Sequence, residues 1–173
     1  MDRMKIAILT VSDKGSRGDR EDLSGAAIAE WVVRMRGEVA AHDIVPDNPR
    51  DITSKLKEYC DNMDVDLVLT TGGTGFSPRD NTPEATAAVI EKLAPGIAEA
   101  IRFEGLKSTP LAMLSRGLAG IRRKTLIINL PGSRRGVVES LVAVEPVIEH
   151  AVEILRGEAG ECGAGQRLDP AMG

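Results

Sequence analysis

The chain has 173 residues, 42% of them hydrophobic, and a net charge of −4. That is enough for one domain with a full core, and there is no global basic field to draw it to nucleic acid or an anionic lipid surface. Its four aromatic residues, Trp31, Tyr59, Phe76 and Phe103, are too few for a base-stacking platform, and no apolar run approaches the roughly 20 residues of a membrane span.

Residues 1–20 lack a signal-peptide core, so a cytoplasmic protein is expected. Lys5–Val11 reads as a buried strand. Residues 12–23 are polar, with two glycines and interleaved charges, and read as a mobile loop. Ile28, Trp31, Val32 and Met35 share one helical face, and Gly37 ends that helix. Glu38–Val45 is a weaker strand. Pro46-Asp47-Asn48-Pro49 is a turn, with Asn48 as N-cap and Pro49 at the first position of a helix striped by Ile52, Leu56, Tyr59 and Met63. The apolar run 65–69 reads as a buried strand that leads into a glycine-rich turn, residues 70–81. Beyond it a helix is expected over 83–93, with Thr82 as N-cap and Pro83 at its first position, then a second over 96–106 after Pro95. A short helix is expected over 110–116, a strand at Thr125–Leu130, and a long amphipathic helix striped by Val137, Leu141, Val144, Ile148, Ala151 and Leu155. Residues 157–173 form a glycine-rich tail that is expected to fray. Cys60, in a predicted helix, and Cys162, in that tail, have no metal-ligand spacing and are not expected to pair.

This alternation predicts an α/β fold, a three-layer α/β/α sandwich with a mainly parallel central sheet, in one domain spanning residues 1–156. Ligands of such sheets sit beyond the carboxyl ends of the strands. Four loops are expected at that edge: Ser12-Asp13, Pro46-Asp47, the stretch from Gly72 to Asp80, and Pro131 to Ser133.

The glycine turn removes side chains where backbone N–H groups can converge on an anion. It lacks the P-loop spacing, and Pro78 stands where a dinucleotide fingerprint needs its third glycine. It is either a phosphate cradle or a plain strand-to-helix turn. Asp80 is a candidate Mg²⁺ ligand, since magnesium takes one or two carboxylates and completes its octahedron with phosphate and water; a helix N-terminal charge is the other reading. Asp47 is a possible second acid or a turn residue between prolines. Asp13 is a third candidate or ordinary loop polarity. Arg79 either neutralises phosphate or is solvated. Ser115 and Arg116 either present a hydroxyl and a cation to substrate or mark a short helix end. Arg122, Arg123 and Lys124 read as a solvated edge, and His42 and His150 as structural.

Residues 7–13 (Ala-Ile-Leu-Thr-Val-Ser-Asp), Thr71-Gly72-Gly73-Thr74-Gly75 with Arg79-Asp80 and Thr82-Pro83-Glu84-Ala85-Thr86, Leu114-Ser115-Arg116 and Asn129-Leu130-Pro131-Gly132 together resemble the molybdenum cofactor biosynthesis family. That family includes molybdopterin adenylyltransferases of the MogA/MoaB type and gephyrin-like G domains. The resemblance covers about residues 4 to 156. It implies transfer of AMP from ATP to the terminal phosphate of molybdopterin, with Mg²⁺ as cofactor. It further implies a homotrimer or a dimer of trimers, and contact with a molybdate-insertion enzyme. By the same resemblance Thr71, Gly72, Gly73, Thr74, Gly75 and Asp13 hold nucleotide, Asp80 and Asp47 are the catalytic acids with Asp80 on the metal, and Ser12, Ser115, Arg116, Pro131, Gly132 and Ser133 face substrate. The chain departs from many relatives at Ser133-Arg134-Arg135, where Asn-Pro is common after the glycine. A nucleotide pyrophosphatase and a non-catalytic molybdopterin carrier are the alternative readings.

Overall fold

The structure is a computed structural model that describes residues 3–158. Six strands form one sheet in the order β2-β1-β3-β6-β5-β4. Here β1 is Lys5–Val11, β2 Glu38–Val45, β3 Leu67–Thr71, β4 Lys92–Leu93, β5 Ala119–Arg122 and β6 Thr125–Leu130. Strands β2, β1, β3 and β6 are mutually parallel, and β5 and β4 add an antiparallel edge.

Side chains alternate across each strand, so one sequence feeds two cores. Ile6, Ile8, Leu67, Leu69, Leu126 and Ile128 point to one face. There they pack on Ile28, Trp31 and Val32 of α2 (Leu23–Arg34), Ile101 of α5 (Pro95–Leu106) and Val137, Leu141, Val144 and Ile148 of α6 (Arg134–Arg156). Ala7, Leu9, Val11, Val68 and Ile127 point to the other. That face is covered by Ile52, Leu56 and Tyr59 of α3 (Pro49–Asp61) and Ala85 of α4 (Thr82–Ala87). The three-layer α/β/α architecture with a mostly parallel sheet is therefore as expected. Asn48 caps α3 by accepting from the Arg50 amide at 2.9 Å, and Pro49 opens the helix.

Several expectations shift. Residues 12–23 are not simply a loop: Ser12 caps a four-residue helix α1 (Asp13–Ser16), and Asp22 caps α2 by accepting from the Gly25 amide at 2.8 Å. The helix after the glycine turn stops at Ala87 rather than 93. Its downstream residues are drawn to the sheet instead, where Glu91 N–H donates to Ile121 O at 2.8 Å and Lys92–Leu93 pairs with β5. Thr82 is the first residue of α4 and not its N-cap; its hydroxyl donates to Gly72 O at 2.9 Å. The short helix near 110 is a 3-10 turn, Pro110–Leu114, that leaves Ser115 extended. Arg122 is not on a solvated edge but forks onto Asp61 from β5, with a 2.6 Å contact. Gly157 closes α6 in a left-handed conformation. Cys162 and most of the glycine-rich tail lie outside the described residues.

The chain leaves β1 toward β2 on one side of the sheet and leaves β3 toward β4, β5 and β6 on the other. The carboxyl ends of β1 and β3 therefore flank the crevice where chain direction across the sheet reverses. A buried polar knot keeps this region in register. Asn129 of β6 donates to the hydroxyls of Thr70 (3.0 Å) and Thr86 (2.9 Å) and accepts from the Leu118 amide (3.2 Å), tying β6 to β3, α4 and the approach to β5. Replacing Asn129 by Leu strands those partners without solvent. Urea unfolding is expected to show a loss of about 3 kcal/mol, since each orphaned buried polar group costs about 1–3 kcal/mol.

Candidate active site

Three loop ends are stitched together at the crevice. A Cβ on Gly72 would lie 2.3 Å from Val11 O, so the bend after β3 can pass the end of β1 only as glycine. Gly132, after β6, comes close behind it: its Cβ would lie 3.3 Å from Gly72 Cα. The Thr71 hydroxyl donates to Pro131 O at 2.6 Å, which fixes the third loop to the second. Both Gly72 and Gly73 have positive φ, 94° and 66°, a region glycine enters without strain. The Thr82 hydroxyl and amide take up the carbonyls of Gly72 and Gly73, at 2.9 and 3.1 Å. The amides of Gly73, Thr74 and Gly75 find no acceptor among the described residues.

Two clefts open on this bend. One, about 620 Å³, is polar; its lining includes Ser12, Arg20, Asp47, Thr71, Gly72 and Arg134. The other, about 500 Å³, has apolar walls from Ile101, Leu111, Leu114 and Pro131, with Thr74, Gly75 and Ser115 among its lining residues. They share Gly73, Asp80, Gly132 and Ser133. The structure thus brings to the two clefts all but three of the candidate residues; Asp13, Arg79 and Arg116 line neither.

Asp13 is turned to Arg79 instead. The guanidinium donates to both Asp13 carboxylate oxygens at 2.8 Å, and Asp13 also accepts from the Asp47 amide at 3.0 Å. These contacts, the Arg79 hydrogen bond foremost, hold the Asp13 carboxyl below its ordinary range. Arg79 is thus neither free nor merely solvated. Arg116 gives its guanidinium to Gly75 O (2.8 Å), to Asp80 O (2.9 Å) and to the Glu84 carboxylate.

Asp47 is 7% exposed, and its carboxylate accepts from the Asn81 amide at 3.1 Å. Burial pushes its carboxyl above the ordinary range, and the negative charges of Asp80 and Asp13 push the same way. Asp80 is partly exposed, with one carboxylate oxygen accepting from the Ser77 amide at 3.1 Å. A Cβ on Gly73 would lie 3.0 Å from Asp47 Oδ2, and one on Gly75 2.9 Å from Asp80 Oδ2. Both acids therefore border the glycine bend.

Residues not singled out from sequence also line the polar cleft: Arg20, Asp22, Ser24 and Arg134. The N-cap spacing Asp22-x-x-Gly25 was a readable signal for the start of α2, and it places Ser24 at the cleft. Arg20 and Arg134 carry no local pattern that marks them. His42 does not stand alone, since its Nε2 lies 3.0 Å from Asp22 Oδ2.

Residues 7–150 match the family described as a probable molybdopterin binding domain. The chain is 45% identical over 159 residues to a molybdopterin adenylyltransferase of Helicobacter pylori, covering 91% of this chain and 90% of that one. It is 37% identical over 147 residues to the molybdopterin adenylyltransferase of Escherichia coli K12, covering 84% and 75%. Among solved structures, the molybdopterin biosynthesis enzyme MoaB of Thermus thermophilus aligns with a TM-score of 0.85 at 51% identity, over 89% of this chain and 97% of that one. The molybdopterin biosynthesis Mog protein of Mycobacterium ulcerans aligns at 0.84 and 38% identity, over 89% and 99%.

The raised Asp47 carboxyl has a consequence for stability. A group that holds its proton more tightly when folded stabilises the protein only while protonated, and that contribution is lost as pH rises. Without divalent cation, Asp47→Asn is expected to raise Tm at pH 7. Calorimetry across pH should show the gain vanish below the ordinary carboxyl value of 3.8 and grow above it.

Proposed function

The chain belongs to the family of the probable molybdopterin binding domain, and we propose that it is a molybdopterin adenylyltransferase. A terminal phosphate oxygen of molybdopterin attacks the α-phosphorus of ATP, the bond from that phosphorus to the bridging oxygen breaks, and pyrophosphate leaves. The observation that carries this reading is the pair of clefts that meet at one floor. Two substrates need two seats, and their phosphates must meet where Gly73, Asp80, Gly132 and Ser133 are common to both.

The reaction brings two anions together, so its barrier is mostly electrostatic and positional. The unpaired amides of Gly73, Thr74 and Gly75 are fixed donors for phosphate oxygens. No side-chain nucleophile is required, because the attacking oxygen belongs to a substrate.

The two acids fit a hard divalent cation. Among the described residues no cluster of three or more metal-ligating side chains occurs, but Mg²⁺ with phosphate and water needs only one or two carboxylates. Asp80 would hold it, with Asp47 as the second acid. When bound, the cation neutralises charge that develops on the polyphosphate. The same reading gives a homotrimer. Phe103 of α5 and Leu111 and Met113 of the adjoining 3-10 turn, each more than 60% exposed, are apolar surface that an assembly would cover.

Incubation with ATP, Mg²⁺ and molybdopterin is expected to yield adenylated molybdopterin and pyrophosphate in equal amounts. AMP formed with water as acceptor would indicate hydrolysis, and molybdopterin binding without turnover would indicate a carrier. Asp80→Asn removes one charge and little volume. It is expected to keep the fold by circular dichroism and to lose roughly 100-fold or more in kcat, equivalent to about 3 kcal/mol of transition-state stabilisation.

A further inference from the structure

Arg116 spans a segment that little else holds. Its amide donates to Thr74 O at 2.8 Å, its Nε to Gly75 O at 2.8 Å, one Nη to Asp80 O at 2.9 Å and the other to the Glu84 carboxylate. Between the two carbonyl anchors, Phe76, Ser77, Pro78 and Arg79 are all exposed, so no buried side chain of that stretch fixes its shape. The remaining ties among the described residues are the exposed Arg79–Asp13 pair, two hydrogen bonds between Ser77 and Asp80, the Arg79 amide on the Ser77 hydroxyl (3.3 Å), the Asn81 side-chain amide on Arg79 O (2.8 Å) and the Asn81 backbone amide on Asp47.

We propose that Arg116 is the positioning residue of the Asp80 loop: its planar fork bridges the carbonyls of Gly75 and Asp80 and so holds the Asp80 carboxylate at the floor shared by the two clefts. The guanidinium suits this task because its donors diverge in a rigid plane and reach two acceptors at once. An ammonium would keep the charge but not the bridge. Glu84, in the first turn of α4, balances the charge, and the same pair draws the Glu84 carboxyl below its ordinary range. Arg116 therefore acts through Asp80 without touching substrate. In its catalytic consequence, though not its geometry, this inference rests on the adenylyl-transfer reading above.

The test compares Arg116→Lys and Arg116→Ala with the wild type. Amide hydrogen exchange is measured on the ligand-free proteins, and kcat and KM are measured with ATP and molybdopterin. Both variants are expected to exchange faster at residues 75–81 while β1, β3 and β6 stay protected. Both should lose about 100-fold in kcat, the scale of an ångström-sized misplacement at a reacting centre, with each KM changed by less than about threefold. Free guanidinium should recover part of the kcat of Arg116→Ala. Three results would overturn the proposal: wild-type kcat in Arg116→Lys, a rise in KM for molybdopterin or ATP with kcat intact, or unchanged exchange at 75–81. Should Arg116→Ala fail to fold, Arg116→Lys decides alone. If the wild type makes no adenylated product, the functional reading fails while the exchange data still judge the splint.

Discussion

The close passage of Gly72 over the end of β1 is the constraint on which the rest depends. The carbonyl of Val11 occupies the space of a Cβ at that position, so any other residue would push the third strand's exit away from the first. With the passage made, the loops after β1, β3 and β6 converge, and Thr71 and Gly132 lock the third of them in place. The left-handed turn at Gly72 and Gly73 then sends their carbonyls to Thr82, while the amides of Gly73, Thr74 and Gly75 stay unspent among the described residues. The proposed anion site thus follows from a packing requirement at the crevice where the sheet changes direction.

Charge around the bend is organised in two tiers. Asp13 with Arg79 and Glu84 with Arg116 are neutralised pairs at the edges of the loop. Asp47 and Asp80, which border the bend itself, have no cationic partner in hydrogen-bond contact among the described residues. The two arginines tie the 75–80 segment to different elements: Arg79, within it, reaches Asp13 of α1, and Arg116, just before β5, reaches the carbonyls of Gly75 and Asp80. Burial of the Asp47 carboxylate, with the negative charges of Asp80 and Asp13 nearby, is unfavourable for the fold. It is the arrangement expected of a place that receives a cation and a polyphosphate together, as proposed above.

The sequence was most readable where burial dictated pattern. Strands β1 and β6 and the capped start of α3 stand where periodicity and turn chemistry put them, because an apolar run or an Asn-Pro pair leaves few alternatives. Strands β4 and β5 were not visible: they have two and four residues, and Gly120 with Arg122 gives no apolar alternation. What draws the chain past Ala87 into β4 is pairing with a strand nearly 30 residues later, which local propensity does not encode. Most of the site's loops were legible from topology and glycine spacing. The partnership of Asp13 with Arg79 was not, since 66 residues separate them, nor was the commitment of Arg116 to backbone carbonyls, since a guanidinium in a loop looks the same whether it serves substrate or scaffold.

The central claim is that the glycine bend grips the nucleotide's phosphates at the junction of the two clefts. A crystal structure with α,β-methylene-ATP and Mg²⁺ tests it most directly. The account predicts phosphate oxygens within hydrogen-bond reach of the Gly73–Gly75 amides, with the cation on Asp80. A triphosphate seated elsewhere, with those amides facing only water, would contradict it.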